Sequence, residues 1–87
     1  METIHKYQLD LYIASQTLQL PKGYNPMQVQ VQNGVACLWC AVNDAETKFE
    51  EVTIHAVTTG GVIPDDLNGY LGTTQHHNGT FVLHWFF

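Results

Sequence analysis

The side chains best suited to chemistry in this 87-residue sequence are five histidines, two cysteines, one serine and two adjacent aspartates. His76 and His77 are neighbours, and in an extended strand their side chains point to opposite faces, so they cannot bind one ion together. His77 and His84 can share a face, but no carboxylate or cysteine is spaced to complete a ligand set. We therefore predict no metal site and no cofactor.

Nucleophilic and acid–base chemistry have equally little support. Ser15 lies in a polar stretch that lacks the glycine pattern of a nucleophile elbow. Asp65 and Asp66 follow a proline and precede Asn68-Gly69, which is a composition typical of a turn. We therefore expect that the protein is not an enzyme.

The two cysteines, Cys37 and Cys40, form a single C-x-x-C pattern. On a strand they lie about 10 Å apart with side chains on opposite faces, which is too far for a disulfide. A zinc site needs a second pair of ligands, and a redox site needs a turn that enters a helix. The pattern favours two partly buried free thiols.

The strongest candidate for a ligand-binding segment is the run Thr58-Thr59-Gly60-Gly61. Consecutive glycines let backbone N–H groups converge on an anion, and threonine hydroxyls add further donors. Lys6, Lys22 or Lys48 can supply positive charge to such a site. The alternative interpretation is an ordinary glycine turn between two strands.

A β-hairpin centred on Asn33-Gly34 is the clearest structural element, because this dipeptide suits a two-residue type I′ turn. Counting outward pairs Gln28 with Trp39 and Gln30 with Cys37. The core face is expected to carry Met27, Val29, Val31, Ala36, Leu38, Cys40 and Val42. The other face places Trp39 beside Gln28 and Gln30, which suits a ligand platform through ring stacking and amide hydrogen bonds. A subunit contact and simple partial burial are the alternatives.

A second hairpin is predicted around Asn78-Gly79 by the same reasoning. Its register pairs Thr73 with His84 and Gly72 with Trp85. One face, assigned to the core, carries Phe81, Leu83, Trp85 and Phe87. Tyr70, at the start of this hairpin, is a second candidate for stacking against a ligand.

These elements predict an all-β fold, a small antiparallel β-sandwich or barrel of about six or seven strands, in a single domain over residues 1–87. No segment has convincing helical periodicity. The predicted strands cover residues 3–11, 16–20, 27–32, 35–42, 49–57, 70–77 and 80–86, with a turn at 21–26.

Composition limits the partners. The sequence has three lysines, no arginine and a net charge of −5, which argues against nucleic-acid binding and against anionic membranes. It lacks both an apolar run of about 20 residues and a signal-peptide core, so we expect a cytoplasmic protein. Charged residues make up only 13% of the chain, below the usual quarter, which favours a homo-oligomer.

A resemblance to a known family covers nearly the whole chain. The pattern Val-Gln-x-Gln-x-Gly-x-x-Cys-Leu-Trp, here between Val29 and Trp39, resembles a family of short uncharacterised proteins encoded largely by bacteriophages and prophages. The closing segment from Phe81 to Phe86 is compatible with that likeness. Two departures are Cys40, where the family tends to carry alanine, and the lack of basic residues after the central hairpin. The second departure puts in doubt any anion contact made by basic residues in relatives.

The resemblance implies a phage context and, by analogy, a counter-defence protein located in the host cytoplasm. The leading expectation is a homo-oligomeric binding protein that sequesters a nucleotide-derived immune signal of the cyclic ADP-ribose or cyclic nucleotide type. Its base would stack on Trp39 or Tyr70, and its phosphates would meet Thr58 to Gly61. The alternatives are direct inhibition of a host defence protein and a structural or accessory phage protein.

Overall fold

The computed structural model describes residues 1–87, and its regular elements are all β-strands. In chain order they are β1 (Glu2–Gln8), β2 (Ser15–Pro21), β3 (Asn25–Gln32), β4 (Val35–Asn43), β5 (Phe49–Thr58), β6 (Tyr70–His76) and β7 (Phe81–Phe86). The predicted all-β class and strand number are confirmed. No helix is long and apolar enough to cross a membrane.

The strands form two antiparallel sheets, ordered β1-β4-β3 and β2-β5-β7-β6. The molecule measures 40 × 31 × 16 Å, and its smallest dimension suits two stacked sheets without a third layer. Strands β3 and β6 also lie against each other and close one side of this sandwich-like fold. Each sheet therefore has one face in the core and one outer face.

The first hairpin has the predicted register, with Gln28 opposite Trp39 and Val29 opposite Leu38. The assignment of Met27 and Val31 to the core was wrong, since their side chains are 53% and 41% exposed. The pairing shifts between Pro26 and Gln28, so Met27 occupies a bulge that breaks the alternation. Val31 pairs with Ala36 at the closed end of the hairpin, next to the Asn33-Gly34 turn.

The second hairpin also keeps the predicted register, with Gly72 opposite Trp85 and Thr73 opposite His84. Its loop is longer than the predicted two residues, because the last paired residues are His76 and Phe81. His77 and Asn78 both have positive φ, and the Gly79 N–H donates to the His76 carbonyl. A turn over His77-Asn78 therefore precedes the expected Asn78-Gly79 turn.

The predicted turn at 21–26 is too long, because Pro21 and Pro26 both lie in strands. Pro21 pairs with Phe49 at the end of β2, which is an edge strand, and Pro26 lies at the bulge of β3. Both positions tolerate a residue without an N–H group. The turn is confined to the few residues between β2 and β3.

The core joins apolar side chains from both sheets around Trp85, which is completely buried. The Trp85 indole N–H donates to Thr74 Oγ1 at 2.8 Å, and the same hydroxyl lies 2.8 Å from His76 Nε2. Burial lowers the pKa of His76, and neighbouring His77 lowers it further. The folded state therefore favours the neutral form of His76.

Stability should consequently fall as the pH drops from about 7 to 5. The His76 pKa is lower when folded than the ordinary 6.5, so its contribution is complete above 6.5 and is lost as the pH falls towards the folded value. Urea unfolding at pH 7.5 and 5.0 measures this loss. His76→Gln should flatten the dependence, whereas His5→Gln, at an exposed position, should leave it unchanged. Equal slopes for the two variants would contradict this role of His76.

Candidate functional site

The predicted site residues fall into two separate groups. Trp39, Gln28 and Gln30 lie on the outer face of β1-β4-β3. The segment from Thr58 to Gly61 and Tyr70 belong to the other sheet, where they line one cavity of about 340 Å³. The structure thus brings together one half of the predicted site and places the other half on a different surface.

The cavity, called the Tyr70 cavity below, lies over the outer face of β5, β7 and β6. It is lined by Val57, Thr58, Thr59, Gly60, Gly61, Ile63, Tyr70, His84 and Phe86. Strand pairing brings Val57 beside His84, and Tyr70 beside Phe86. The chain after Thr58 then supplies the remaining wall.

The glycine segment turns tightly as it leaves β5. The Gly61 N–H donates to the Thr58 carbonyl at 2.8 Å, and Gly60 has a φ of +87°, which favours glycine. The segment is therefore a β-turn, and the Gly61 amide is already bonded within it. Fewer backbone donors are left to hold an anion than the sequence suggested.

Four polar side chains form a continuous hydrogen-bonded chain beside the cavity. Thr59 Oγ1 lies 2.8 Å from His84 Nε2, and His84 Nδ1 lies 2.9 Å from Thr73 Oγ1. Thr73 Oγ1 in turn contacts the Tyr70 hydroxyl at 2.5 Å. We call Thr59, His84, Thr73 and Tyr70 the hydroxyl–imidazole chain. Its two ends, Thr59 and Tyr70, both line the cavity.

Apolar and aromatic groups complete the Tyr70 cavity. The rings of Tyr70 and Phe86 are 5.5 Å apart at a tilt of 54°, and the Tyr70 side chain is 58% exposed. No lysine lines the cavity. The arrangement can stack and hydrogen-bond a planar polar group, but it offers no fixed cation for a phosphate.

The predicted lysines do not reach this cavity. Lys6 pairs with Trp39 across β1 and β4, and its Nζ lies 5.8 Å from the centre of the Trp39 ring. The same Nζ donates to Gln32 Oε1 at 2.8 Å. Lys48 precedes β5, where its carbonyl accepts a bond from the Lys22 N–H. Lys6 and Lys48 therefore lie in different regions of the molecule, and neither lines the Tyr70 cavity.

The Trp39 surface, formed by Gln28, Gln30, Gln32 and Trp39, is the outer face of the smaller sheet. Trp39 is half-buried, and Lys6 lies over its ring. A ligand stacking on that side must displace the ammonium group.

Cys37, on the same strand as Trp39, is buried, whereas partial burial was expected. Its burial follows from the position of β4 as the central strand of its sheet.

Both cysteines are free, as the sequence predicted. Burial raises the pKa of the Cys40 thiol, so this sulfur stays protonated. No three residues among the histidines, cysteines and acids are grouped to hold a metal ion.

Sequence reasoning missed His84, Thr73 and Phe86 as parts of the site. The register of the second hairpin had placed Thr73 opposite His84, so that contact was available as a signal. The approach of Thr59 depends on the pairing of β5 with β7, two strands far apart in sequence. No local pattern reports that pairing.

Comparison with known proteins gives one match. The model of a family described as "Domain of unknown function (DUF7352)" matches residues 1–87. The chain belongs to this family. No curated protein and no solved structure matches the chain. Membership of DUF7352 agrees with the expected relation to an uncharacterised family. The matched residues include all those that line the Tyr70 cavity.

A wider cleft adjoins the Tyr70 cavity across the 58–61 turn. It has a volume of about 520 Å³ and shares Val57, Thr58 and Gly61 with that cavity. Tyr12 and Val62 at its rim are 70% and 90% exposed. This surface offers apolar contact area next to the polar site.

Proposed function

We propose that this DUF7352 protein is a phage-encoded, non-enzymatic binding protein that sequesters a small nucleotide-derived signal in the Tyr70 cavity. The observation that carries the proposal is one cavity of about 340 Å³ that combines an accessible aromatic ring with both ends of a hydrogen-bonded chain. Its volume lies in the range of small-ligand sites. In a phage, such sequestration would protect against host defence in the host cytoplasm.

The base half of a nucleotide fits this chemistry best. Aromatic rings stack on nucleobases at about 1–3 kcal/mol per base, and Tyr70 is exposed enough to do so. With the base stacked on Tyr70, the Thr59 hydroxyl at the other end of the chain can bond to the base edge. With no lysine in the lining, the phosphates must face solvent or the Thr58 hydroxyl. We therefore expect the base and sugar to supply most of the affinity.

The arrangement of His84 supports binding over catalysis. Thr59 and His84 are spaced like a nucleophile and its base, at 2.8 Å. The group that orients His84 is the Thr73 hydroxyl, however, and a hydroxyl does not stabilise an imidazolium as a carboxylate does. The nearby Gly61 N–H, a possible oxyanion donor, is bonded to Thr58. A hydrolytic cycle would lack two of its usual supports.

Thermal unfolding with added nucleosides and cyclic nucleotides tests the proposal. A ligand at 100 times its Kd should stabilise the folded state by about 2.7 kcal/mol. Tyr70→Ala should lower the affinity at least tenfold through loss of stacking, whereas Tyr70→Phe should retain most of it. Mass spectrometry of small molecules released from the heated protein gives an independent readout.

The matched control is Phe49→Ala, which removes an aromatic ring that is 57% exposed and does not line the cavity. This variant should bind like the wild type. If no nucleotide or nucleoside shifts the unfolding temperature and none is released on heating, the proposal is wrong.

Direct inhibition of a host defence protein is the second candidate. The exposed Tyr12 and Val62 beside the cavity favour it, because contiguous apolar surface often marks a protein contact. The Trp39 surface, on the outer face of the smaller sheet, is the corresponding candidate for contact between subunits of a homo-oligomer. An inhibitor should co-purify with one host protein and should show no thermal shift with nucleotides.

A further inference from the structure

We infer that the hydroxyl–imidazole chain is reversible, so that the Tyr70 cavity accepts a heterocycle edge of either polarity, amino or oxo. The inference rests on the proposed function and adds the ligand class, purine nucleosides that differ at the 6-position. It is carried by the three consecutive contacts from Thr59 through His84 and Thr73 to Tyr70.

The proton count of the chain is the first step. With His84 neutral, the four side chains carry four exchangeable protons: one on each of the three hydroxyls and one on the imidazole. The three internal hydrogen bonds use three of these protons. Since Thr73 has one proton and two partners, the fully bonded chain has it donate to one and accept from the other. One proton is therefore left over at an end of the chain.

Two arrangements satisfy this count. In the first, Tyr70 donates to Thr73, Thr73 donates to His84 Nδ1, and His84 Nε2–H donates to Thr59, whose own proton is free. In the second, every donation is reversed and the Tyr70 proton is free. The imidazole changes tautomer between them, so one cavity-facing end donates while the other accepts.

Nothing bonded to His84 fixes one of these two tautomers. Both ring nitrogens contact threonine hydroxyls, and a hydroxyl serves equally as donor or acceptor. A carboxylate or backbone carbonyl at either nitrogen would have required an N–H there and locked the direction. The ligand is thus free to set the direction of the chain.

A purine 6-position provides a direct reversal of polarity. The amino group of adenosine donates, so the chain end that it contacts must accept. The oxo group of inosine accepts, so the same end must donate. An oxo contact requires the arrangement in which that end keeps its free proton, so inosine fixes the tautomer of His84. An amino contact can be accepted by the same end in either arrangement, because a hydroxyl oxygen has two lone pairs.

Titration calorimetry and nitrogen-15 NMR of His84, with adenosine and inosine, test the inference on the intact protein. The two affinities should agree within about threefold. Inosine should hold His84 in a single tautomer, whereas adenosine should leave the mixture of tautomers found in the free protein. An inosine complex in which His84 keeps the mixture of tautomers of the free protein overturns the inference and leaves the proposed function standing, as does a preference of more than threefold for either nucleoside. Binding of neither overturns the inference, and the proposed function is also wrong if every other nucleoside and nucleotide fails to shift the unfolding temperature.

Discussion

Replacing Trp85 with alanine is expected to lower the free energy of unfolding by about 3–5 kcal/mol. Trp85 is completely buried between the sheets, and removing a buried tryptophan side chain costs about 3–5 kcal/mol. A domain of this size has a total stability of about 4–13 kcal/mol. The truncation therefore removes a large part of what holds the sheets together. Urea unfolding followed by far-ultraviolet circular dichroism measures the loss.

Two control variants separate ring burial from hydrogen bonding. Trp85→Phe keeps an aromatic ring and loses the N–H bonded to Thr74, so it should cost less than the alanine variant. Trp39→Ala removes a half-buried indole from the outer face and should cost less again. A Trp39→Ala cost equal to that of Trp85→Ala would contradict this assignment of the core.

Gly72→Ala is expected to destabilise the fold by about 2–5 kcal/mol. Gly72 has a φ of +131°, a conformation that costs other residues about 1–3 kcal/mol. A Cβ atom there would also lie 2.9 Å from the Val29 carbonyl oxygen, which belongs to the backbone of β3 and cannot rotate away. The substitution therefore forces β6 and β3 apart. Thermal and urea unfolding measure the effect.

Gly23→Ala provides the matched control for Gly72→Ala. Gly23 has a φ of +85°, but a Cβ atom there would meet nothing within 4 Å. Its alanine variant should lose only about 1–2 kcal/mol from backbone strain. Equal losses at the two positions would show that the close approach of β6 to Val29 contributes nothing.

The two hairpins were predictable from sequence because their information is local. A short turn sets the register of both adjoining strands, so the pairs Gln28 with Trp39 and Thr73 with His84 follow from counting. The alternation of side chains then predicts the burial of Leu38 and Trp85. Local turn chemistry and periodicity thus account for about half of the fold.

The remaining features depend on contacts between distant segments. The pairing of β1 with β4, and of β2 with β5, joins strands without a short turn between them. The bulge at Met27 reverses the alternation at one residue, and nothing in the composition marks its position. For these reasons the exposure of Met27 could not be predicted, nor could the burial of His76 in a network with Trp85.

The candidate site shows the same division. Thr58 to Gly61 and Tyr70 were recognisable by residue type, and the structure places them around one cavity. Trp39 was equally plausible by type, yet it lies on the other sheet beneath Lys6. Only the three-dimensional arrangement shows that His84 links the two recognised parts.

The contact between β3 and β6 is the most extensive one between strands of the two sheets, and it has a consequence for motion. On the opposite side β1 and β2 are edge strands that do not pair with each other. The two sheets should therefore separate there first and hinge about the β3–β6 contact. Thr59, His84, Thr73 and Tyr70 all lie on or directly after strands of one layer. The two sheets can therefore separate without disturbing the hydroxyl–imidazole chain, which lies on the outer face of one sheet.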